Sequence, residues 1–122
     1  MNVRKRWTLL EHTDSPDDPE GLHFDLLLED SHGCRSWRLR KMLILDGPPQ
    51  DAFPLSIHSL EWLETSERQV SGGRGWAKRL IGGWFSGELP ENEGDPVEIQ
   101  LHSKDISGNL EIKDFRFKFF SL

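Results

Sequence analysis

The sequence has little cysteine, no tyrosine and no long run of apolar residues. Its one cysteine, Cys34, excludes an intramolecular disulfide, and its place in the turn-like run 31–34 disfavours a role as a nucleophile. No apolar stretch is long enough to span a bilayer or to form the core of a signal peptide. We therefore expect a cytoplasmic protein whose stability comes from a packed core.

Basic residues are also in the minority, with 15 Lys and Arg against 21 Asp and Glu. The formal charge of −6 disfavours nonspecific binding to nucleic acid, which normally depends on a basic surface. The bases are nevertheless gathered in two segments, 35–41 and 74–79. These segments fit either a local surface that faces phosphates or ordinary solvated strand faces.

Aromatic residues, by contrast, are frequent and lie in short segments. With 122 residues the chain can form one domain, 1–122, and its five Trp and seven Phe would fill much of a single core. Four of the tryptophans lie inside strand-like runs: Trp7, Trp37, Trp76 and Trp84. This placement favours core packing over the alternative, which is stacking on unpaired bases.

Runs of aromatic and branched residues recur between clusters of Gly, Pro and Asp, which predicts a mainly β protein. The fold class that fits is a small single-domain β-barrel of about six to eight strands, with long loops. At most a short helix is expected, at 59–68, where a strand is the alternative. The predicted strands are 6–11, 22–29, 36–40, 55–58, 75–80, 84–88, 97–102 and 111–119. In the last of them, Phe115, Phe117 and Phe119 alternate with charged residues, which predicts one continuous strand with these rings in the core.

The most informative segment is 22–29, Leu-His-Phe-Asp-Leu-Leu-Leu-Glu. Side chains two apart on a strand share a face, so His23 and Asp25 project together from an otherwise apolar strand. With a second imidazole from a neighbouring strand, for which His12 is the upstream candidate, this pair suits a divalent ion such as Mn²⁺ or Zn²⁺. The alternative is a half-buried strand with two polar residues at its rim.

Two further segments contain groups suited to binding an anion. His58 follows the strand-like residues 55–57 and suits general acid catalysis or a hydrogen bond to a phosphate oxygen. In the segment 71–75, Ser-Gly-Gly-Arg-Gly, the glycines can turn backbone amides toward an anion, and the guanidinium of Arg74 matches phosphate oxygens. An ordinary loop between strands is the alternative for this segment.

These residues occur in an order that resembles a known family. The elements are, in sequence, His12, Leu22-His23-Phe24-Asp25, Leu28-Glu29, Ser36-Trp37, Lys41, His58 and the glycine-rich segment 71–75. The order resembles the 3′-phosphoesterase domain of bacterial DNA ligase D, and more closely the short stand-alone proteins labelled as DNA polymerase/ligase N-terminal-domain proteins. The resemblance covers about residues 6–90.

The resemblance implies a small β-barrel that holds a Mn²⁺-type ion, with Zn²⁺ as a second candidate, through His12, His23 and Asp25. It also implies that Lys41 and His58 contact the substrate phosphate. The implied activity is removal of a 3′-terminal ribonucleoside and then of the remaining 3′-phosphate, during DNA end repair by non-homologous end joining. The implied partners are nucleic acid 3′ ends and a repair ligase or polymerase.

The sequence departs from the family at two positions that bear on activity. Leu27 stands where the family has an arginine, and Trp62 stands where it has a tyrosine. Arg74 is the candidate that would replace the missing arginine from a different strand. The alternative hypothesis is a catalytically weakened or inactive module of the same fold, which binds nucleic acid ends or a repair partner.

Overall fold

A computed structural model describes residues 4–16 and 18–122 of the chain. The strands of the described residues are β1 Lys5–Thr13, β2 Leu22–Glu29, β3 Cys34–Leu39, β4 Gln50–His58, β5 Glu67–Gln69, β6 Trp76–Ser86, β7 Val97–Ser103, β8 Ser107–Lys113 and β9 Arg116–Phe120. The mainly β fold class is therefore confirmed, and the predicted strand 22–29 is confirmed at both of its ends. No helix in the part of the chain described here has the length and apolar character needed to cross a membrane.

The strands form one antiparallel sheet that closes into a ring. Neighbouring strands follow the order β1-β2-β3-β4-β9-β8-β7-β6, and β6 pairs with β1 to complete the circle. The short strand β5 pairs with the beginning of β6, outside the ring. Closure removes most of the exposed strand edges that an open sheet would leave. The result is a barrel-like arrangement, as the sequence predicts.

The main apolar core fills the inside of this ring. In β2, the alternate residues Phe24, Leu26 and Leu28 are buried in it. Other strands contribute large side chains, among them Trp7, Leu9, Trp37, Leu39, Ile99, Leu101, Leu110, Phe117 and Phe119. Each large apolar side chain buried in this way contributes about 1.5–3 kcal/mol of transfer free energy. The ring is therefore stabilised mainly by its inner face.

A second, smaller apolar cluster lies on the outer face of the same strands. Its members are Leu10, Leu27, Cys34, Trp62, Leu63 and Ala77. Trp62 and Leu63 belong to a short 3₁₀ helix, Leu60–Leu63, which begins where Ser59 Oγ accepts a hydrogen bond from the backbone N–H of Glu61. The segment 59–68 thus contains both a helical turn and, at its end, part of β5. Because it covers the outer face, β2 is buried on both sides, as its apolar sequence suggests.

The predicted strand 111–119 is wrong as a single strand, because it is a hairpin of β8 and β9. The chain reverses at Asp114 and Phe115, whose φ angles of 53° and 62° lie in the left-handed region. Two such residues are typical of a type I′ hairpin turn. Phe115 is 65% exposed at this turn, whereas Phe117 and Phe119 are buried as predicted. The alternation did not reveal the turn because phenylalanine stands where glycine is usual.

The two predicted strands 75–80 and 84–88 are joined in the single strand β6. Gly83 lies between them and lets the neighbouring strand approach closely, because a Cβ atom at this position would lie 2.0 Å from the carbonyl oxygen of His102. Glycine inside a strand often marks such a close approach. The glycines therefore continue the strand instead of ending it.

The tryptophans divide between the core and the surface. Trp7 and Trp37 are buried, as predicted. Core packing is the wrong prediction for Trp76, whose side chain is 42% exposed beside β5. Trp84 is half-buried and stacks on the ring of His102, with ring centroids 4.1 Å apart.

Candidate metal centre

The three predicted ligands lie side by side on the outer face of β1 and β2. The two strands form a hairpin in which His12 is directly opposite His23, and Asp25 follows two residues along β2 on the same face. All three side chains are buried: His12 is 9% exposed, Asp25 4% and His23 0%. The hairpin register therefore brings together residues that a loop separates in the sequence.

The polar atoms of these side chains converge. His12 Nδ1 lies 3.3 Å from Asp25 Oδ2, and His23 Nε2 lies 3.3 Å from Asp25 Oδ1. One ligand atom from each residue lies within 4.8 Å of the other two. Ligand atoms at about 2.1 Å from a tetrahedral ion are roughly 3.4 Å apart, so the two shorter separations fit a shared ion.

A hydrogen bond at Nε2 of His12 determines that Nδ1 is the nitrogen that faces the cluster as an acceptor. His12 Nε2 lies 2.7 Å from the carbonyl oxygen of Arg74, which can only accept a hydrogen bond. Nε2 therefore donates, and in the neutral ring Nδ1 presents its lone pair to Asp25. In the protonated ring Nδ1 instead donates to Asp25. This hydrogen bond is the main cause that raises the pKa of His12, and the Arg74 carbonyl adds to it.

His23 is held from its far side in the same manner. Its Nδ1 lies 2.8 Å from Oδ2 of Asp18, and neither side chain has exposed surface. An ionised carboxylate only accepts, so Nδ1 donates and Nε2 of the neutral ring presents a lone pair to Asp25. Among the described residues, neither His23 Nε2 nor Asp25 Oδ1 has a hydrogen-bond partner, although both atoms are buried.

Acceptor atoms that face one another in a buried site are stabilised by a positive charge between them, which is either a proton on an imidazole or a metal ion. A buried acceptor left without a partner costs about 1–3 kcal/mol. Burial acts to raise the pKa of Asp25, but the neighbouring imidazoles of His12 and His23 outweigh burial, so its pKa lies well below the usual range. Two imidazoles and one carboxylate, with each remote nitrogen bonded to an oxygen, form the donor set of many divalent-ion sites. These residues therefore fit a divalent ion.

Asp18 is a residue of this site that sequence reasoning did not single out. It lies in the loop 14–21 between β1 and β2, and Arg40 Nη1 contacts its other oxygen, Oδ1, at 3.0 Å. The hydrogen bond from His23 is the main cause that lowers the pKa of Asp18 to about 2, and the hydrogen bond from Arg40 adds to it. In the sequence, Asp18 is one of several acidic residues within 11–20. The available signal was its position in the loop that joins the two ligand strands.

The glycine-rich segment 71–75 is held against β1 by a position that suits only glycine. Gly75 has a φ of +96°, and a Cβ atom there would lie 2.1 Å from the carbonyl oxygen of Thr13. This close approach brings the neighbouring carbonyl of Arg74 to His12. The segment therefore orients a candidate ligand through its backbone, whereas phosphate binding by its amides stays a prediction.

A cleft of about 140 Å³ opens beside the candidate ligands. It is lined by Leu10, His12, Asp25, His58, Trp62, Arg68, Val70, Arg74 and Ala77. The structure therefore brings His58 and Arg74 to the same cleft as His12 and Asp25, while His23 is fully buried next to them.

The ring of His58 is oriented by hydrogen bonds from β3 and β4. Its Nδ1 lies 2.8 Å from Ser36 Oγ and 3.1 Å from the backbone carbonyl of Ser56. Because a carbonyl only accepts, Nδ1 donates, and Ser36 directs its own hydroxyl to the carbonyl of Cys34 at 3.1 Å. Nε2 is therefore the nitrogen that His58 can offer to a ligand in the cleft.

Lys41 is not brought to this cleft. It follows the end of β3 and lines a separate cavity of about 270 Å³, together with Arg40 and Arg116. A contact between Lys41 and the substrate phosphate therefore stays a prediction. Another base of the segment 35–41 lies nearer, since Arg38 on β3 pairs directly with Asp25 on β2.

The two positions at which the chain departs from the resembled family lie together. Leu27 is fully buried in the outer apolar cluster, to which Trp62 also belongs. Trp62 in addition lines the cleft. An apolar layer of leucine and indole therefore occupies this side of the site, and no charged group projects from position 27.

Comparison with known proteins adds no family to this description. No model of a known protein family matches the chain. No curated protein matches its sequence at a significant level. The fold and the site define a class in structural terms only: a ring-shaped antiparallel β domain with a buried cluster of two histidines and one aspartate beside a cleft.

Proposed function

We propose that this protein is a metal-dependent phosphoesterase of the Mn²⁺ type that processes the 3′ ends of nucleic acid in the cytoplasm. The reaction is removal of a 3′-terminal ribonucleoside and of a 3′-phosphate, as in DNA end repair, and a repair ligase or polymerase is the expected partner. The observation that carries the proposal is the convergence of His12, His23 and Asp25 beside a cleft that also contains His58.

The candidate ligands would hold the ion in a defined orientation. His12 would bind through Nδ1 and His23 through Nε2, because their other nitrogens donate to Arg74 and Asp18. A divalent ion bound there supplies Lewis-acid polarisation of a phosphoryl oxygen and lowers the pKa of a water molecule. Asp25 provides the negative charge that balances part of the charge of the ion.

His58 and Arg74 supply the groups that act on the substrate. The hydrogen bonds at Nδ1 fix the ring of His58, so its protonated Nε2 can donate to a phosphate oxygen or to the leaving oxygen. The guanidinium of Arg74 stabilises the negative charge that develops on the phosphate. Both residues line the cleft, which is the geometric requirement for these roles.

The size of the cleft supports a terminal group as the substrate. Its volume of about 140 Å³ is well below the range of about 300–1,000 Å³ that is typical of pockets for whole small molecules. A phosphate with part of its sugar fits such a space, and the remaining strand would lie on the surface. Because the net charge is −6, binding has to depend on local contacts rather than on overall attraction.

A non-catalytic module that binds nucleic acid ends is the second candidate function. Two observations favour it: Leu27 presents no charge to the site, and Lys41 lines a different cavity. Loss of one preorganised donor can cost about 100- to 1,000-fold in rate. A protein with the fold and the ion but too few phosphate contacts would bind ends without hydrolysing them.

One experiment tests metal binding and activity together. Mn²⁺ or Zn²⁺ is titrated while the ring resonances of His12, His23 and His58 are followed, and a primer-template with a 3′-ribonucleotide or 3′-phosphate is then assayed. We expect the largest changes at His12 and His23. Asp25→Ala should lower turnover by at least about 100-fold, since even partners behind the ligands are worth about 10- to 100-fold. Asp105→Ala, an exposed aspartate in the turn after β7, is the matched control.

The outcomes separate the candidates. Unchanged resonances of His12 and His23 at saturating metal would contradict the metal centre. Metal binding without hydrolysis of either substrate would favour the non-catalytic module. Hydrolysis that is equally fast in Asp25→Ala would show that the reaction occurs elsewhere.

A further inference from the structure

Arg68 is a charged residue of the cleft that neither the sequence motifs nor the proposed reaction uses. It lies in the middle of β5, which pairs with β6 next to the cleft. Its guanidinium carbon lies 3.9 Å from the centre of the Trp62 ring. Arg68 and Trp62 therefore form one wall of the cleft, with the guanidinium stacked on the indole.

This stacking restrains the guanidinium while leaving its N–H groups available. A guanidinium that lies over an aromatic ring is attracted by the ring and keeps its planar edge for hydrogen bonds. The only acidic contact of Arg68 among the described residues is Glu61, at 3.8 Å, and the Glu61 side chain is 77% exposed. Such an exposed pair is worth at most about 1 kcal/mol, so it does not hold Arg68 away from an incoming anion.

The surroundings of Trp62 show how the guanidinium of Arg68 comes to line this side of the cleft. Leu27 is buried in the same apolar cluster as Trp62, so strand β2 contributes an apolar side chain to the layer that contains the indole. The guanidinium of Arg68 lies over this indole, and both residues line the cleft. The positive charge on this wall is therefore that of Arg68 on β5, which lies over the ring of Trp62. Position 27 on β2 contributes no charge.

We propose that Arg68 is a substrate-binding residue that holds the terminal phosphate of a nucleic acid 3′ end, with Trp62 as its supporting platform. The planar fork of an arginine matches two phosphate oxygens at once, which a lysine cannot do. The inference rests on the proposed function for the identity of the ligand. Binding of the phosphate, however, does not require that the bond be hydrolysed.

The test compares the binding of two labelled oligonucleotides that differ only in a 3′-phosphate or a 3′-hydroxyl. Binding is measured by fluorescence anisotropy in chelator, where metal-dependent turnover does not occur, and KM and kcat are measured separately with Mn²⁺. Arg68→Gln should weaken binding of the 3′-phosphate by about 10- to 100-fold, the range for hydrogen bonds to charged groups, and raise KM more than it lowers kcat.

The chain offers a matched control in Arg4, whose guanidinium carbon lies 4.2 Å from the centre of the Trp84 ring, away from the cleft. Arg4→Gln removes the same charge from the same kind of stack and should leave the preference for the 3′-phosphate unchanged. Arg68→Lys keeps the charge but not the planar fork, and should recover only a minor part of the affinity.

Each outcome bears on a different claim. Equal effects of Arg68→Gln and Arg4→Gln, or a wild-type protein without preference for the 3′-phosphate, would overturn the role of Arg68. Full affinity in Arg68→Lys would overturn the stacked fork and leave only the charge. Failure of the proposed hydrolysis is recorded separately, as wild-type protein that prefers the 3′-phosphate in chelator but does not cleave it with Mn²⁺.

Discussion

The two faces of strand β2 are both buried, but they depend on different interactions. The inner face contributes Leu26 and Leu28 to the core of the ring, where dispersion and the exclusion of water are sufficient. The outer face contributes His23, Asp25 and Leu27, and it leaves buried acceptor atoms without hydrogen-bond partners among the described residues. One face is complete as the chain folds, and under the proposed function a cation completes the other.

This difference separates what stabilises the fold from what the site requires. Burial of apolar side chains on the inner face stabilises the folded state. The outer face retains an unfavourable arrangement of acceptors, which an ion that binds only the folded state would relieve. Substitutions on the inner face should therefore act on stability, and substitutions among the outer polar groups should act on the response to metal.

The largest expected effect is at Leu26. Leu26→Ala should lower the free energy of unfolding by about 2–5 kcal/mol, because the closed ring cannot collapse onto the resulting cavity. Leu27→Ala deletes the same atoms one residue later, on the outer face, where the segment 59–68 can move inward. The decrease in the free energy of unfolding caused by Leu27→Ala should lie at the low end of that range. Urea unfolding of both variants measures the difference, and a larger loss for Leu27→Ala would reverse the comparison.

The next effect is that of the ion itself. At about 100 times its Kd, Mn²⁺ should stabilise the wild-type protein by about 2.7 kcal/mol. Asp25→Ala should abolish this stabilisation, and the exposed Asp105→Ala should retain it. Thermal unfolding with and without Mn²⁺ measures both. The same upward shift in Asp25→Ala as in the wild type would place the ion at another site.

A smaller effect is expected at Asp18, which contacts His23 but not the cleft. Asp18→Asn keeps the size of the side chain and removes its charge, and should weaken metal binding by about 10- to 100-fold. Glu20→Gln is the control, because Glu20 also contacts Arg40, at 2.9 Å, but is exposed. Metal titration gives the affinity, and the ring nitrogen shifts of His23 report whether Nδ1 still donates. Unchanged affinity and unchanged shifts would exclude Asp18 as a positioning residue.

The part of the site on β2 could be predicted because a strand repeats every two residues. That period places His23 and Asp25 on one face whatever the rest of the fold is. The partnership with His12 follows from hairpin register, which depends on how the loop 14–21 closes. The order of the residues suggested this partnership through a resemblance, whereas the spacing alone did not determine it.

The remaining contacts depend on the conformations of loops, which periodicity does not describe. Asp18 reaches His23 from within a loop, and Arg74 reaches His12 through its backbone carbonyl because Gly75 allows close approach. Arg68 lies in a strand too short to show an alternating pattern. These are tertiary contacts of polar residues, and each became visible only when the segments were placed together.

The smallest expected effect concerns Cys34, which belongs to the outer apolar cluster. Burial is the main cause that raises the pKa of its thiol to about 11, and the charge of Glu29 adds to it. A cysteine in the unfolded chain ionises at about pH 8.5. Above that pH the unfolded state loses a proton that the folded state keeps, so the contribution of Cys34 to stability should fall as the pH rises toward 11.

Cys34→Ala removes this titration. Between pH 8 and pH 10, the free energy of unfolding of the wild type should therefore fall relative to that of the variant. Reaction with a thiol reagent at pH 8 adds a kinetic measurement, because the reagent reaches Cys34 only when the cover formed by residues 59–68 opens. Slow labelling that accelerates in Leu27→Ala but not in Leu26→Ala would assign the opening to the outer face. Immediate labelling of the wild-type protein would show that the outer cluster is not closed, and the contrast between the two faces of β2 would then lose its basis.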